Sequence, residues 1–145
     1  MAYLDVFAEF CDDSTITATD TNAIIGNVID LGSTGLDLGN TDIWCVIKIG
    51  EAVTSNSATT HIFTLLSDST ENLATSATTH YTSPSIAKAT LVAGYTVAAF
   101  KLPAGTYERY LGLFEDTDGG ALLTGTCNAY LTLNEPRWKA YPDAL

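Results

Sequence analysis

The sequence is poor in basic residues and in long apolar runs, and each shortage argues against a class of protein. Only 6 of the 145 residues are Lys or Arg, against 17 Asp and Glu, so the formal net charge is −11. Nucleic acids and anionic membranes attract basic surfaces, so this balance argues against binding to DNA, RNA or such a membrane. No apolar run approaches the roughly 18 residues that a membrane-spanning helix needs. The charge favours a neutral or basic partner surface instead.

Cysteine is also scarce. The three cysteines are Cys11, Cys45 and Cys127. An odd number without a Cys-x-x-Cys pair does not form a disulfide framework. The N-terminus lacks the basic and then apolar segments of a signal peptide, so we expect synthesis in a reducing cytoplasm with the thiols free. Cys45 and Cys127 stand among apolar residues, which indicates core packing.

Helical periodicity is missing, because apolar residues nowhere recur at helical spacing over eleven residues. What is present is alternation, together with 22 threonines spread along the chain, a β-branched residue that suits half-exposed strands. The clearest strand-like runs are residues 3–10, 23–31, 43–49, 59–66, 95–102, 107–115 and 125–133, and a short edge strand is expected near 80–82. About eight strands with regularly spaced turns predict an all-β sandwich or jelly roll of antiparallel strands.

Several local features refine this prediction. The run 43–49 is apolar on both faces apart from Lys48, which predicts a central strand packed on two sides. Residues 11–14 are expected to end the first strand, and Gly26 to interrupt the run 23–31. Residues 102–105 fit a type I turn, and residues 116–120 indicate a hairpin. We assign residues 1–133 to one domain and 134–145 to a C-terminal arm.

Three patterns suggest chemistry only weakly. Ser85-Ile-Ala-Lys88 matches a nucleophile motif that belongs at a helix start, and a loop entering a short strand is favoured here. The acidic segment 115–120 lacks the later carboxylate of a calcium loop, so a solvated hairpin tip is favoured. His61 and His80 are not spaced as zinc ligands, and surface or half-buried strand positions are expected. The sequence therefore predicts no catalytic residue, no metal and no cofactor.

Candidate interface residues lie at three places in the chain. Arg109 stands between tyrosines, and two alternatives stay open: an ion pair or stacking on a tyrosine within the chain, or a bridge to a carboxylate of a neighbouring subunit. The arm carries aromatic and basic side chains that would anchor it on its own domain or on a neighbouring subunit. The first strand and the arm are candidates for exchange between subunits. The candidate interface residues are Tyr3, Leu4, Phe7, Arg109, Arg137, Trp138 and Tyr141.

A series of short passages then occurs in a characteristic order. The passages are Tyr3-Leu-Asp5, Phe10-x-Asp12, Thr15-Ile-Thr17, Asn27-Val-Ile-Asp-Leu-Gly32, Leu36-Asp-Leu-Gly39, Leu91-Val-Ala-Gly-Tyr95, Leu102-Pro-Ala-Gly105 and Arg109-Tyr-Leu111. With these passages the chain resembles the capsid cement, or decoration, proteins of tailed bacteriophages, of the type described from a Bordetella phage. The odd cysteines, Cys11 especially, and the arm after Leu133 depart from that pattern.

The resemblance implies a jelly roll on the outside of an icosahedral capsid, made in the host cytoplasm and carried on the virion. It implies that the protein bridges major capsid proteins, associates with copies of itself as a dimer or trimer, and has neither catalytic activity nor a cofactor. A carbohydrate- or receptor-binding β-sandwich on the virion surface is the main alternative. A hydrolase on a jelly-roll scaffold would need paired carboxylates or a metal cluster, which the sequence does not supply.

Overall fold

Strands make up nearly all the regular structure of the computed structural model, which describes residues 8–16, 23–33, 37–57, 60–74, 76–119 and 124–133. Two short 3-10 turns, Leu38–Asn40 and Lys88–Thr90, lie between strands. The strands are β1 (Glu9–Thr15), β2 (Ala23–Ile24), β3 (Ile29–Asp30), β4 (Trp44–Ile49), β5 (Thr60–Asp68), β6 (Thr78–Thr82), β7 (Ile86–Ala87), β8 (Thr96–Lys101), β9 (Tyr110–Asp118) and β10 (Thr126–Thr132).

The strands form two antiparallel sheets. The first sheet has the order β1-β10-β4-β8, and the second has the order β2-β9-β5-β6, with β3 also on β9 and β7 also on β5. Since β2 and β3 both pair with β9, they act as one interrupted strand. Likewise β6 and β7 both pair with β5, so the six strands of the second sheet occupy four positions. The chain then passes between the two sheets in the order of a jelly roll, which confirms the predicted all-β fold.

The core lies between the sheets and follows the alternation of the central strands. In β4, Cys45, Ile47 and Ile49 belong to the core, whereas Lys48 is exposed. Val46, which points to the other face of the sheet, is also fully buried, so the prediction of a strand packed on both sides is confirmed. The largest fully buried apolar side chains are Phe10, Ile47, Ile49, Phe63, Leu65, Leu91, Leu102, Tyr107, Leu111 and Leu113.

The first strand differs from its prediction. In the described residues β1 runs from Glu9 to Thr15, so it continues through residues 11–14, where a break was expected. Asp13 explains the difference: it has a positive φ of 48°, and its N–H donates to Asn128 Oδ1 at 2.6 Å. The polar residues are thus accommodated in a β-bulge against β10, with irregular register between Cys11 and Ser14. Residues 1–7 lie outside the described ranges.

Two predicted turns are also different. β9 extends to Asp118 and pairs with β5, whereas β10 pairs with β4 and β1. The predicted hairpin at 116–120 is therefore wrong, because the chain crosses there from one sheet to the other. At 102–105 the chain bends, and the Gly105 N–H donates to the Asp37 carboxylate at 3.1 Å. A side chain from another loop thus holds this bend.

The interruption predicted at Gly26 is confirmed. Gly26 separates β2 from β3 and has a φ of +65°, and a Cβ atom there would lie 2.2 Å from the Phe10 carbonyl oxygen. Only glycine fits both the backbone conformation and this close approach.

The described part of the chain contains no helix long and apolar enough to cross a membrane. β10 ends at Thr132, one residue before the predicted boundary between domain and arm. The arm itself, residues 134–145, lies outside the described residues.

Candidate functional site

Two of the passages that carry the family resemblance, Asn27–Gly32 and Arg109–Leu111, lie side by side in the second sheet. β3, from the passage Asn27–Gly32, pairs with the start of β9, where Ile29 lies opposite Leu111 and Asp30 opposite Tyr110. The Leu31 N–H extends this pairing by donating to the Arg109 carbonyl at 2.7 Å. Two segments about eighty residues apart in the chain thus form one continuous piece of sheet.

Arg109 and Asp30 form an ion pair next to this strand pairing. Arg109 Nε donates to Asp30 Oδ1 at 2.8 Å, and Nη2 donates to Oδ2 at 2.9 Å. The hydrogen bond from Arg109, followed by that from the Gly32 N–H, lowers the pKa of Asp30 to about 2. The same hydrogen bond raises the pKa of Arg109. The guanidinium carbon also lies 5.2 Å from the centre of the Tyr110 ring.

The geometry settles one of the two alternatives for Arg109. The ion pair within the chain is present, and each of the two side chains remains 45% exposed. A bridge to another subunit stays a prediction, because the exposed half of the pair is open to a partner. The other candidate interface residues, Tyr3, Leu4, Phe7, Arg137, Trp138 and Tyr141, lie outside the described residues.

Asp37 joins two further passages at a neighbouring loop. Its Oδ1 accepts hydrogen bonds from the Gly39 and Gly105 N–H groups, both at 3.1 Å. Gly39 approaches the other loop so closely that a Cβ atom would lie 2.4 Å from the backbone of Ala104. The fully buried Tyr107 donates its hydroxyl to the Pro103 carbonyl at 2.7 Å. These passages therefore build a rigid pair of loops.

A serine and a histidine are hydrogen-bonded in the sandwich. Ser67 Oγ lies 2.8 Å from His80 Nε2 and also accepts the Glu108 N–H at 3.0 Å. The His80 ring stacks on Tyr107 with 3.8 Å between ring centres, and burial lowers the pKa of His80. Ser67 itself is fully buried. A Ser–His pair resembles a nucleophile and its base, but this hydroxyl cannot meet a substrate without local opening.

A second buried pair lies between β5 and β9. His61 Nδ1 is 2.7 Å from Glu115 Oε1, and both side chains are completely buried. Burial raises the pKa of Glu115, and the hydrogen bond to His61 opposes this shift. The prediction that His61 is a surface or half-buried residue is wrong, because its position in β5 faces the core. Likewise Glu115 is buried in β9 and is not part of an acidic loop.

The motif Ser85-Ile-Ala-Lys88 has the structure that was favoured for it. A loop enters the short strand β7, and Lys88 Nζ donates to the Ser55 carbonyl at 2.6 Å. Within the described ranges, no group of three or more His, Cys, Asp and Glu side chains could hold a metal ion.

The outer face of the second sheet carries a groove of about 430 Å³. The loop between β5 and β6 forms one wall, and its Leu73 is buried over Gly112 of β9. The groove is lined by Thr64, Leu66, Leu73, Ala74, Ser76, Ala77, Thr79, Thr82 and Phe114. No pattern in the sequence predicts this groove, because Leu73 is an isolated apolar residue in a polar stretch.

Asp30, the partner of Arg109, was also missed, although a signal existed. Asp30 stands in a strand passage that is otherwise apolar, and a charge in such a passage points to a partner on the neighbouring strand. Ser67 and Glu115 gave no such signal, because the predicted run 59–66 stops before Ser67, and Glu115 stands at the end of the run 107–115, where the acidic segment begins.

One comparison with known proteins found a family for this chain. The family model Bbp16 matches residues 10–131, which span nearly the whole of both sheets, from β1 into β10. A search of curated proteins found no match. The matched segment includes both loops tied by Asp37 and the strand pair that carries Arg109 and Asp30. The chain belongs to the Bbp16 family, a family of the Bordetella-phage type, which supports its assignment as a phage virion protein.

Proposed function

We propose that this protein decorates the outer surface of an icosahedral phage capsid, where it bridges neighbouring major capsid subunits and stabilises the shell. The observation that carries the proposal is the Bbp16 match, which covers the jelly roll from β1 into β10. The resemblance of the ordered passages to capsid cement proteins supports the finer role. In this role the function lies in the outer surface and the ends of the chain.

The charge distribution supports a neutral or basic partner surface on the capsid. Three of the four cationic side chains in the described ranges are already engaged: Arg109 with Asp30, Lys101 with Asp42, and Lys88 with a backbone carbonyl. The outer surface therefore presents mainly acidic and neutral groups to a partner. A basic patch on the major capsid protein would complement it.

A non-enzymatic role is part of the proposal. The two pairs that most resemble catalytic groups are Ser67–His80 and His61–Glu115. Ser67, His61 and Glu115 are all fully buried in the sandwich. Their geometry fits a structural role, in which Ser67 Oγ bonds to His80 Nε2 and His61 Nδ1 to Glu115 Oε1. Among the described residues, His61 Nε2 and Glu115 Oε2 are buried without a hydrogen-bond partner.

Repeated contacts between copies of this chain and the capsid subunits would stabilise the shell. A copy that bridges capsid subunits would bury an interface on the order of 1,000–2,000 Å². A dimer or trimer of this chain would hold two or three such interfaces together, so that a bound copy raises the effective concentration of the next. The predicted arm would add to this through Arg137, Trp138 and Tyr141.

The test compares capsids with and without this protein. We expect capsids purified from phage that lack it to lose their shell at lower temperature and on milder osmotic shock, and added protein to restore both. The matched control is the same capsid with an unrelated acidic protein added. Undecorated capsids that withstand heat and osmotic shock as well as decorated ones would rule out the cementing role.

A second candidate is a carbohydrate- or receptor-binding role on the virion surface, which the outer groove favours. Phe114 lies in that groove with the hydroxyl-bearing Thr64, Thr79 and Thr82. An aromatic ring beside several hydroxyl groups offers both a stacking face and hydrogen-bond partners to a sugar. Selective micromolar binding on a glycan array, lost in Phe114→Ala, would favour this role over cementing.

A further inference from the structure

Two of the three cysteines face each other across neighbouring strands. Cys11 in β1 and Cys127 in β10 have their Sγ atoms 3.8 Å apart. Both are free thiols, and they are 2% and 0% exposed. Neither thiol is needed for the surface role proposed above, so their proximity calls for its own explanation.

The β-bulge of the first strand brings the two sulfur atoms together. Cys11 is opposite Ala129, and Ser14 is opposite Cys127, so three steps along β1 match two steps along β10. The bulge is held by Asp13, whose N–H bonds to Asn128. The side chains of Cys11 and Cys127 therefore lie on the same core face at a diagonal position of the strand pair.

We propose that Cys11 and Cys127 form an intramolecular disulfide when the protein is exposed to oxidising conditions, so that β1 becomes covalently fixed to β10. A disulfide needs an S–S distance of about 2.05 Å, and side-chain rotation with a small strand movement closes the present gap. The inference concerns the fold of a virion protein and does not depend on the cementing role.

Cys45 is excluded as the partner by the strand register. Cys127 is opposite Ile49, whereas Cys45 is opposite Leu131, so the two lie four residues apart along adjacent strands. At about 3.3 Å per residue this offset is roughly 13 Å, too far for a disulfide. Cys45 also cannot pair with Cys11, because it lies on β4 and β10 separates β4 from β1.

The reaction is a thiol–disulfide exchange with a small disulfide such as oxidised glutathione. The Cys11 thiolate attacks one sulfur of the oxidant and releases one glutathione thiolate. The Cys127 thiolate then attacks Sγ of Cys11 and releases the second. The two cysteines lose two electrons and two protons, and the oxidant becomes two molecules of reduced glutathione.

The order of attack follows from access to the two thiols. Among the described strands, β1 is an edge strand with β10 as its neighbour, whereas β10 lies between β1 and β4. Cys11 is therefore the first nucleophile, and its hydrogen bond with Cys127 lowers its pKa. Separation of β1 from β10 exposes both sulfur atoms to the oxidant.

A virion protein passes from a reducing to an oxidising environment when the host cell lyses. Thiols stay reduced in a bacterial cytoplasm and become oxidised outside the cell. The disulfide would therefore form after cell lysis, when folding is complete, and would fix the first strand of the jelly roll to the last.

The test is a count of free thiols after incubation of the purified protein in buffers of reduced and oxidised glutathione. Unfolding and alkylation should show three free thiols under reducing conditions and one under oxidising conditions, with an intact mass lower by about 2 Da. Cys45→Ala is the matched control and should go from two free thiols to none. Cys11→Ser and Cys127→Ser should not form an intramolecular disulfide, and a peptide map should show the link between residues 11 and 127.

Three results would overturn the inference: three free thiols at every glutathione ratio, a disulfide that includes Cys45, or oxidation only between molecules. The result remains clear if a serine variant fails to fold, because wild type and Cys45→Ala are decisive by themselves. The oxidised form should also melt at a higher temperature than the reduced form. Equal melting temperatures would show that no disulfide fixes β1 to β10.

Discussion

Arg109 holds Asp30 in a planar pair of hydrogen bonds that joins β9 to β3. Because about half of each side chain is in contact with solvent, this ion pair contributes little to the stability of the isolated protein. Its main effect is to fix the orientation of the Arg109 guanidinium, whose edge lies beside Tyr110. Such an edge is a good recognition element for a carboxylate or carbonyl of a partner.

Replacement of Arg109 separates the two roles of this residue. We expect Arg109→Ala to change the melting temperature of the free protein little and to weaken binding to undecorated capsids on the order of tenfold, as for a central interface arginine. Co-sedimentation with capsids measures the binding. Lys101→Ala is the matched control, since Lys101 is an exposed cation paired with Asp42. Equal effects of the two substitutions would refute a specific role for Arg109.

The titration of Asp30 reports on the same ion pair. Its lowered pKa, about 2 against an ordinary 3.8, means that its stabilising effect is complete above pH 3.8 and is lost as the pH falls through 2. We expect the carboxyl signal of Asp30 in NMR to titrate near pH 2 in the wild type. In Arg109→Ala it should move towards 3.8, and an unchanged midpoint would show that the ion pair does not persist in solution.

The buried Glu115 has the opposite pH dependence. Its pKa is raised by burial, so its contribution to stability is complete below its ordinary pKa of 4.5 and is lost as the pH rises through the folded value. Each unit by which the pKa is raised corresponds to about 1.4 kcal/mol.

Glu115→Gln should therefore flatten the pH dependence of the unfolding free energy above pH 4.5. The amide keeps the shape and a hydrogen bond to His61 but cannot ionise. Urea unfolding between pH 4.5 and 8 measures the slope. The exposed Glu71→Gln should keep the wild-type slope, and a Glu115→Gln slope equal to it would contradict the assignment.

At the scale of elements, an apolar contact ties the loop between β5 and β6 to the second sheet. Leu73 packs on the second sheet directly over Gly112, where a Cβ atom would lie 2.4 Å from Leu73 Cδ1. The contact closes one wall of the groove and fixes the hairpin of β5 and β6. The side chain of Leu73 thus explains why residue 112 in β9 is glycine.

A double-mutant cycle tests this contact. We expect Leu73→Ala to cost about 2–3 kcal/mol, since it leaves a cavity, and Gly112→Ala to cost about 1–3 kcal/mol, since it overpacks the site. The double variant should be more stable than the sum of the two losses predicts, by about 1 kcal/mol, because the smaller side chain at 73 removes the clash. Additive losses, measured by urea unfolding, would show that the two residues do not touch.

The elements also show what sequence patterns can predict. Alternation placed β4, β5 and β9 and the burial of Cys45 and Cys127, because one face of each strand must meet the core. It failed where a tertiary contact overrides the local preference, as at Asp13, which stays in a strand because Asn128 bonds to its backbone. The Arg109 position was identified from its neighbours, but its partner depends on the pairing of β3 with β9, which no local pattern reveals.

At the scale of the whole molecule, the excess of acidic groups opposes folding and would favour the proposed binding to a basic capsid surface. A formal charge of −11 makes the folded protein repel itself, and added salt screens that repulsion. The same screening weakens attraction to a basic partner surface, because the Debye length shortens from about 10 Å at 0.1 M salt to about 3 Å at 1 M.

Salt should therefore stabilise the free protein but weaken its association with capsids. We expect the melting temperature to rise between 0.05 and about 0.5 M NaCl, while co-sedimentation with undecorated capsids decreases over the same range. The neutral osmolyte sucrose is the control for effects that are not electrostatic. Capsid binding that is unaffected by salt would argue for a neutral, apolar capsid surface.

The pairing of the first strand with the last has a consequence for synthesis on the ribosome. β1 is an edge strand whose neighbour in the sheet is β10, so Phe10 and Cys11 cannot be covered properly until residues 126–132 have been translated. The jelly roll can therefore close only after β10 has been translated, and a nascent chain cut short before β10 would expose its apolar interior to chaperones and proteases. Copies that lack β10 would thus be removed before they reach a particle.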